Sequence, residues 1–236
     1  MKQETLPSAL RWAIACRAFS APAVIVSQTG LILNQNVDSY PLVAEVITRG
    51  GIIAFRTDTF YGLGADPFNA SAVQRIKQLK GREEQKPILI VISDCDLVAR
   101  FIDNPSATFN LLVENFWPGP LTLIGTARLE LPSNITAATG TVGLRLPDDD
   151  EVRELVRGCG GALTATSANP AHEPPSRTAQ EVKNYFSKGI DLIVDGGPAQ
   201  TTQPSTIVDA THTEPKLIRE GVIAWAAIRL ATDLHG

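Results

Sequence analysis

Few residues in this sequence could hold a metal ion or staple the chain. It has three cysteines (Cys16, Cys95 and Cys159) and three histidines (His172, His212 and His235), each set scattered along 236 residues. An odd, dispersed set of cysteines offers neither a disulfide framework nor a zinc-ligand spacing and points to a reducing compartment, so a cytoplasmic location is expected. Dispersed histidines leave a histidine-based metal site or a Ser-His-Asp triad with little support. No stretch approaches the roughly 18 consecutive apolar residues of a membrane helix, and no membrane partner is expected. The segment LRWAIACRAFSAPAVIV loosely mimics a secretory signal, but Arg11 and Arg17 interrupt it and Glu4 precedes it, which argues against export. Excess positive charge is also missing: 21 Lys and Arg against 25 Asp and Glu leave a net charge of −4. Attraction to nucleic acid would therefore have to come from a local basic patch.

Hydrophobic residues make up 44% of the chain and charged residues 19%, ordinary values for a globular protein with a sizeable core. Strand and helix patterns alternate from Ser39 to Arg229 without repeat or linker, which predicts one α/β domain over residues 38–236. Residues 1–37 read as an accessory extension, with short strands at Val24–Val26 and Leu31–Leu33. The densest polar chemistry lies in Gly51–Ser93. An apolar run, Gly51–Phe55, predicts a buried strand; RTDTFYGLGADP (56–67) follows as a loop carrying hydroxyls, an acid and glycines at a strand end. Asn69 then caps a helix whose Ala72, Val73, Ile76 and Leu79 face inward and whose Gln74, Arg75 and Lys77 face outward, with Gly81 just past its end. Ile88–Ile92 is the next strand. Lys80, Arg82 and Lys86 emerge together at the helix terminus. They either answer the helix dipole and pair with Glu83 and Glu84, or form an anion site.

Downstream, a helix over Ala107–Phe116 leads into Phe116-Trp117-Pro118-Gly119-Pro120-Leu121-Thr122, a rigid corner before a strand. Thr141–Pro147 reads as a strand with Arg145 inside it. An arginine there is costly unless paired, so it either reaches solvent at an edge or faces a polar cavity and grips a carboxylate. Asp148–Asp150 cap a helix containing Val152, Leu155 and Val156. A strand over Ala162–Thr166 delivers Ser167-Ala168-Asn169-Pro170, whose hydroxyl and amide suit phosphate or sugar but are also common turn formers. Thr178 caps a further helix, and strands follow at Asp191–Val194, Pro204–Asp209 and Lys216–Arg219 before a final helix.

Seven motifs in order, Thr-Asp-Thr-Phe-Tyr-Gly-Leu-Gly (57–64), Lys80-Gly-Arg82, Phe-Trp-Pro-Gly-Pro-Leu-Thr (116–122), Gly-Leu-Arg-Leu-Pro (143–147), Ser167-Ala-Asn169, Asp-Gly-Gly (195–197) and Ser-Thr-Ile-Val-Asp (205–209), resemble the YrdC-like family. The resemblance covers roughly residues 39–225 and is to its short, single-domain L-threonylcarbamoyladenylate synthase branch. It implies a twisted mixed open sheet with flanking helices and a large, positively lined concave cavity. It further implies condensation of L-threonine, bicarbonate or carbon dioxide, and ATP into threonylcarbamoyl-AMP and pyrophosphate, with Mg²⁺ riding on ATP. The product would feed a separate transferase that modifies tRNA. By motif, Lys80 and Arg82 would neutralise phosphate and carboxylate, and Arg145 and Thr59 would hold threonine. Thr141, Ser167 and Asn169 would line the nucleotide and carbamate site, with Lys86, Arg177 and Arg219 at its rim. The sequence departs from the family pattern at Arg56 and Glu83, where proline is usual, and at Val91 and Asp148, where histidine is common in related forms. Two alternatives share the fold: a double-stranded RNA-binding module, or tRNA-binding relative, using the basic concavity, and a carbamoyl-transfer relative without synthase activity.

Overall fold

The structure is a computed structural model and describes residues 30–81 and 86–233. Arg82, Glu83 and the segment Val24–Val26 lie outside the described residues.

Alternation sends successive side chains of a strand to opposite faces, and here both faces of the central strands are covered. Five strands form one sheet: β1 (Leu31–Asn34), β2 (Ile53–Arg56) and β3 (Tyr61–Gly64), with two more introduced below. Six form the other. In chain order the remaining strands are β4 (Ile90–Ile92), β5 (Leu121–Thr126), β6 (Thr141–Arg145), β7 (Ala162–Thr164), β8 (Thr166–Ser167), β9 (Leu192–Asp195), β10 (Thr206–Asp209) and β11 (Lys216–Arg219). The first sheet has the order β1-β9-β2-β3-β8 and the second β11-β10-β5-β6-β4-β7, each mixing parallel and antiparallel pairs. The mixed α/β class is as expected, with the strands dealt into two sheets.

The longer helices are α1 (Tyr40–Thr48), α2 (Ala70–Lys80), α3 (Ala107–Phe116), α4 (Asp150–Gly158), α5 (Ala179–Tyr185) and α6 (Trp225–Asp233). Ile53 and Phe55 of β2 join Tyr40, Val43 and Ile47 of α1 and Val152, Leu155 and Val156 of α4 in one hydrophobic cluster. Ala54, between them in sequence, belongs to the other cluster with Ala72, Val73 and Ile76 of α2. The expected caps are in place: Asn69 accepts from the Ala72 N–H, Asp149 from Val152 and Thr178 from Glu181, while Gly81 closes α2 in the left-handed region at φ 60°.

Four placements differ from the sequence reading. Residues 56–67 are not wholly loop: Tyr61–Gly64 turns back as β3, antiparallel to β2. Its two glycines hide the strand pattern, and Gly64 is needed because a Cβ there would stand 2.8 Å from the Phe55 ring. Lys77 does not face outward; it is 1% exposed, drawn inside beside Ile76 and Lys80 on the buried flank of α2. The single strand expected over Ala162–Thr166 breaks at Ala165, so that β7 pairs with β4 in one sheet and β8 with β3 in the other. Finally, Leu31–Asn34, inside the segment read as accessory, pairs in parallel with β9 as part of the first sheet. The Phe116–Thr122 corner is built as expected, with Trp117 edge-on to Phe109 and its Nε1–H donated to the Leu121 carbonyl at 2.7 Å. No helix among the described residues is long and apolar enough to cross a membrane.

Gly221 follows β11 where the chain passes close to Pro204 and Ser205. A Cβ on Gly221 would fall 2.1 Å from the Pro204 carbonyl oxygen and 2.7 Å from the Ser205 carbonyl carbon, both backbone atoms that cannot swing aside. Gly221→Ala should therefore cost about 1–3 kcal/mol of stability, the usual range for overpacking. Urea denaturation monitored by tryptophan fluorescence checks this; an unchanged midpoint would show that the Pro204–Ser205 segment yields freely.

Candidate active site

A cavity of about 340 Å³ opens where the two sheets meet. The β2–β3 hairpin contributes Thr57, Thr59 and Tyr61; β5 and β6 contribute Thr122, Gly143 and Arg145; the break between β7 and β8 contributes Ala165, Thr166 and Ser167. Ser205, Ile218 and Arg219 close one wall, and Lys86, Leu89 and Val91 another. Among the described residues, three cations and a set of hydroxyls thus line the space, and none of the lining residues is acidic. Such a lining favours an anionic ligand in a concave, partly apolar setting.

Arg145 is the most constrained of these groups. β6 lies inside the six-stranded sheet, so the arginine has no edge through which to reach solvent, and it is 3% exposed. Its Nη2 is ion-paired with Asp58, whose side chain is 8% exposed, and its Nη1 donates to Thr59 Oγ1 at 3.0 Å. Thr59 is in turn 3.1 Å from Thr57 Oγ1, which donates to the Phe60 carbonyl at 2.8 Å. The buried Nε of Arg145 has no hydrogen-bond partner among the described residues. A buried guanidinium with an unspent donor is costly unless something else takes that bond. Of the two readings open to Arg145, the cavity-facing one therefore holds, and a carboxylate of the protein is already one partner.

The opposite wall is organised by Arg219. Its Nη2 donates to the Ser205 carbonyl at 2.8 Å, and the Ser205 hydroxyl sits 3.0 Å from Thr122 Oγ1. Burial, and then the nearby Arg145 guanidinium, push Arg219 below the ordinary arginine range. Two guanidiniums that repel each other across a cavity create a field that an anion relieves. Tyr61 donates its hydroxyl to Asp195 Oδ1 at 3.1 Å and the Gly197 carbonyl at 2.7 Å. Burial, followed by the Asp195 charge, raises that phenol above its usual value, so it serves as a neutral donor that ties the hairpin to the Asp195-Gly-Gly turn.

Of the residues singled out in sequence, Thr59, Lys86, Arg145, Ser167 and Arg219 line the cavity. Lys80 and Asn169 stand behind it. Lys80 is 5% exposed, and its ammonium donates to the Ser167 carbonyl and, at 2.6 Å, to that of Asn169. The Asn169 amide donates to Pro170 and Glu173 carbonyls while its buried Oδ1 has no hydrogen-bond partner among the described residues. The lysine therefore clamps the Ser-Ala-Asn loop to the end of α2. Thr141 is on the same strand face as Gly143 and Arg145 but beyond the cavity, hydrogen-bonded to Thr139 at 2.9 Å. Arg177 is exposed and outside the lining. Thr57, Asp58, Tyr61, Thr122 and Ser205 belong to the site but were not singled out, although each falls inside one of the seven motifs. Arg56 and Asp148, two departures from the family pattern, also sit here: Arg56 pairs with Asp149 at 2.8 Å, and the Asp148 N–H donates to Asp58 Oδ2 at 3.3 Å. Val91, a third departure, lies on the cavity wall.

Residues 45–221 match the family model described as "Telomere recombination", that of Sua5, YciO and YrdC proteins. The chain belongs to this family. It is 34% identical over 166 residues to a protein of Cellvibrio japonicus named threonylcarbamoyl-AMP synthase, a match spanning 70% of this chain and 88% of that protein. Among solved structures it resembles Pyrococcus abyssi Sua5 complexed with L-threonine, with a TM-score of 0.80 and 30% identity over 85% of this chain. It spans 60% of the length of that Sua5 chain. Escherichia coli YciO is similar at a TM-score of 0.71 and 26% identity, covering 82% of this chain and 96% of its own.

Arg145→Ala should leave the Asp58 carboxylate buried without its cation and lower stability by about 3–5 kcal/mol, the cost of breaking a buried pair from one side. Adding Asp58→Asn should return part of that loss. A double-mutant cycle by urea denaturation checks the coupling; strictly additive single and double variants would mean that the pair contributes nothing.

Proposed function

We propose that the protein is an L-threonylcarbamoyladenylate synthase, a nucleotidyltransferase that condenses L-threonine, bicarbonate-derived carbon dioxide and ATP into threonylcarbamoyl-AMP and pyrophosphate. The observation that carries this reading is the cavity itself: Lys86, Arg145 and Arg219 converge with threonine and serine hydroxyls, with no acidic residue in the lining among the described residues. All three reactants or intermediates that would meet there are anionic at the relevant end.

In this reading Arg145 and Thr59 hold the threonine carboxylate, which leaves the amino nitrogen free to take up carbon dioxide with loss of a proton. A carbamate oxygen then attacks the α-phosphorus of ATP. The bond from that phosphorus to the bridging oxygen breaks, and pyrophosphate leaves with the electron pair. Positioning and charge neutralisation supply most of the help for such a step. Lys86 and Arg219 take phosphate oxygens, Ser167 faces the nucleotide, and Lys80 acts through the loop whose carbonyls it holds. Arg82, Thr141, Asn169 and Arg177 are assigned to the nucleotide side by motif. Mg²⁺, when bound with ATP, would be held by phosphate oxygens and would neutralise part of the polyphosphate charge. The product passes to a separate transferase that modifies tRNA.

Purified protein given ATP, Mg²⁺ and bicarbonate should release pyrophosphate only when L-threonine is added, and a threonylcarbamoyl-AMP mass should appear with it. No release by folded protein would overturn the synthase reading. Steeply salt-dependent binding of double-stranded RNA or tRNA in its place would favour a binding module, and carbamoyl transfer to another acceptor a carbamoyl-transfer relative.

A further inference from the structure

Two ion pairs join the tip of the β2–β3 hairpin to the segment that runs from β6 into α4, and they run in opposite senses. Arg56, at the end of β2, pairs with Asp149 at 2.8 Å and lies 3.6 Å from Glu151. Two residues further on, Asp58 pairs with Arg145, four residues before Asp149. The hairpin thus offers a cation then an acid, and the opposing segment an acid then a cation. A fourth contact, the Asp148 N–H to Asp58 Oδ2 at 3.3 Å, lies between the rungs. All four charged side chains are less than a tenth exposed, from 4% for Arg145 to 9% for Asp149. Gly196 makes room for the outer rung, since a Cβ there would approach Arg56 Nε to 3.0 Å.

Only the inner rung touches the cavity. Thr57 and Thr59 line it, and they alternate with Arg56 and Asp58 along the same few residues. Holding residues 56 and 58 at two points therefore fixes the two hydroxyls between and after them. Asp149 has two jobs, one per oxygen: Oδ1 accepts from the Val152 N–H as the cap of α4, while Oδ2 takes Arg56. The cap anchors the acid on a helix packed against α1, β4 and β7, so the outer rung ties the hairpin to a rigid element.

We propose that the Arg56–Asp149 pair is a positioning device that sets the grip of Thr59 and Arg145 on the amino-acid carboxylate, and so governs affinity for the amino acid rather than for the nucleotide. The inference rests on the synthase reading for its substrate. Neither residue of the outer pair touches that substrate. They act through Asp58 and Thr59, whose placement decides how the Arg145 guanidinium is presented to an incoming carboxylate.

Asp149→Asn separates the two jobs, because an asparagine oxygen still caps α4 while its NH₂ cannot pair with Arg56. In this folded variant the KM for L-threonine should rise at least tenfold, with kcat and the KM for ATP each changing less than twofold. Arg56→Lys, which keeps the charge but not the planar fork, should fall between the two. Amide hydrogen exchange of the ligand-free protein gives a readout independent of turnover: the variant should exchange faster at residues 57–60 and at Asp148, with α4 unchanged. Unaltered exchange at the hairpin, or a KM for threonine that stays put or moves together with that for ATP and with kcat, overturns the positioning role. If wild-type protein shows no threonine-dependent turnover, the synthase reading fails, and the exchange data still decide whether the outer pair holds the hairpin.

Discussion

A charged arginine buried in the middle of a sheet is the constraint from which the site follows. Burying a guanidinium is unfavourable unless its donors are paired, and β6 gives Arg145 no exit to solvent. Two of its nitrogens are answered from one short stretch, by Asp58 and Thr59, which means that the β2–β3 hairpin must fold back over β6. Once it does, the first sheet is held against the second along one edge of the cavity. The polar pairing that offsets the cost of burying Arg145 is also what shapes the space in front of it.

A second clamp, beside the hairpin, works by different means. Lys80 ends α2, where a cation is favoured by the helix dipole, yet its ammonium is spent on two carbonyls of the Ser167–Asn169 loop. That loop follows the break at Ala165, where the chain passes from one sheet to the other. An ammonium is suited to this because its three rotatable donors can meet two loop carbonyls at once. The clamp holds Ser167 on the cavity wall, and the buried Asn169 Oδ1 has no hydrogen-bond partner among the described residues. Both halves of the site are thus set by cations that face the protein as much as the ligand.

This explains which parts were legible in the sequence. Elements with a strong period or a cap were readable to within a residue or two: α2 between Asn69 and Gly81, α3, and β11. Arg145 was readable as a problem, an arginine in a strand, but not as its solution, because Asp58 is far away in sequence and nothing local names it. The seven motifs marked the polar loops, and the structure brings five of the proposed site residues to one cavity. Lys80 was placed on the right helix end while its reach to the loop carbonyls was invisible, since backbone acceptors leave no trace in composition. Lys77 misled because helical periodicity separates faces but does not say how wide the buried stripe is; with two sheets to cover, it is wider than Ala72, Val73, Ile76 and Leu79 alone. Likewise β3 was missed because Tyr-Gly-Leu-Gly has the composition of a turn, and only the packing of Phe55 against Gly64 reveals why glycine is needed in a strand.

Charge placement separates what the whole chain does from what the cavity does. The net charge of −4 would repel a polyanion at a distance, yet among the described residues the lining carries three cations and no acid. Asp58 and Asp149 are close by but turned away from the cavity lining and spent on arginines. With Asp58 as its counter-charge, Arg145 is close to neutral as a pair, so the inner rung alone is a weak attractor for a carboxylate. Arg219 and Lys86 supply the surplus. Taking up a carboxylate brings the cavity toward neutrality rather than away from it. A site assembled this way needs no basic surface around it, and the attraction is confined to the last few ångströms, where screening by salt is weakest and geometry decides which anion enters.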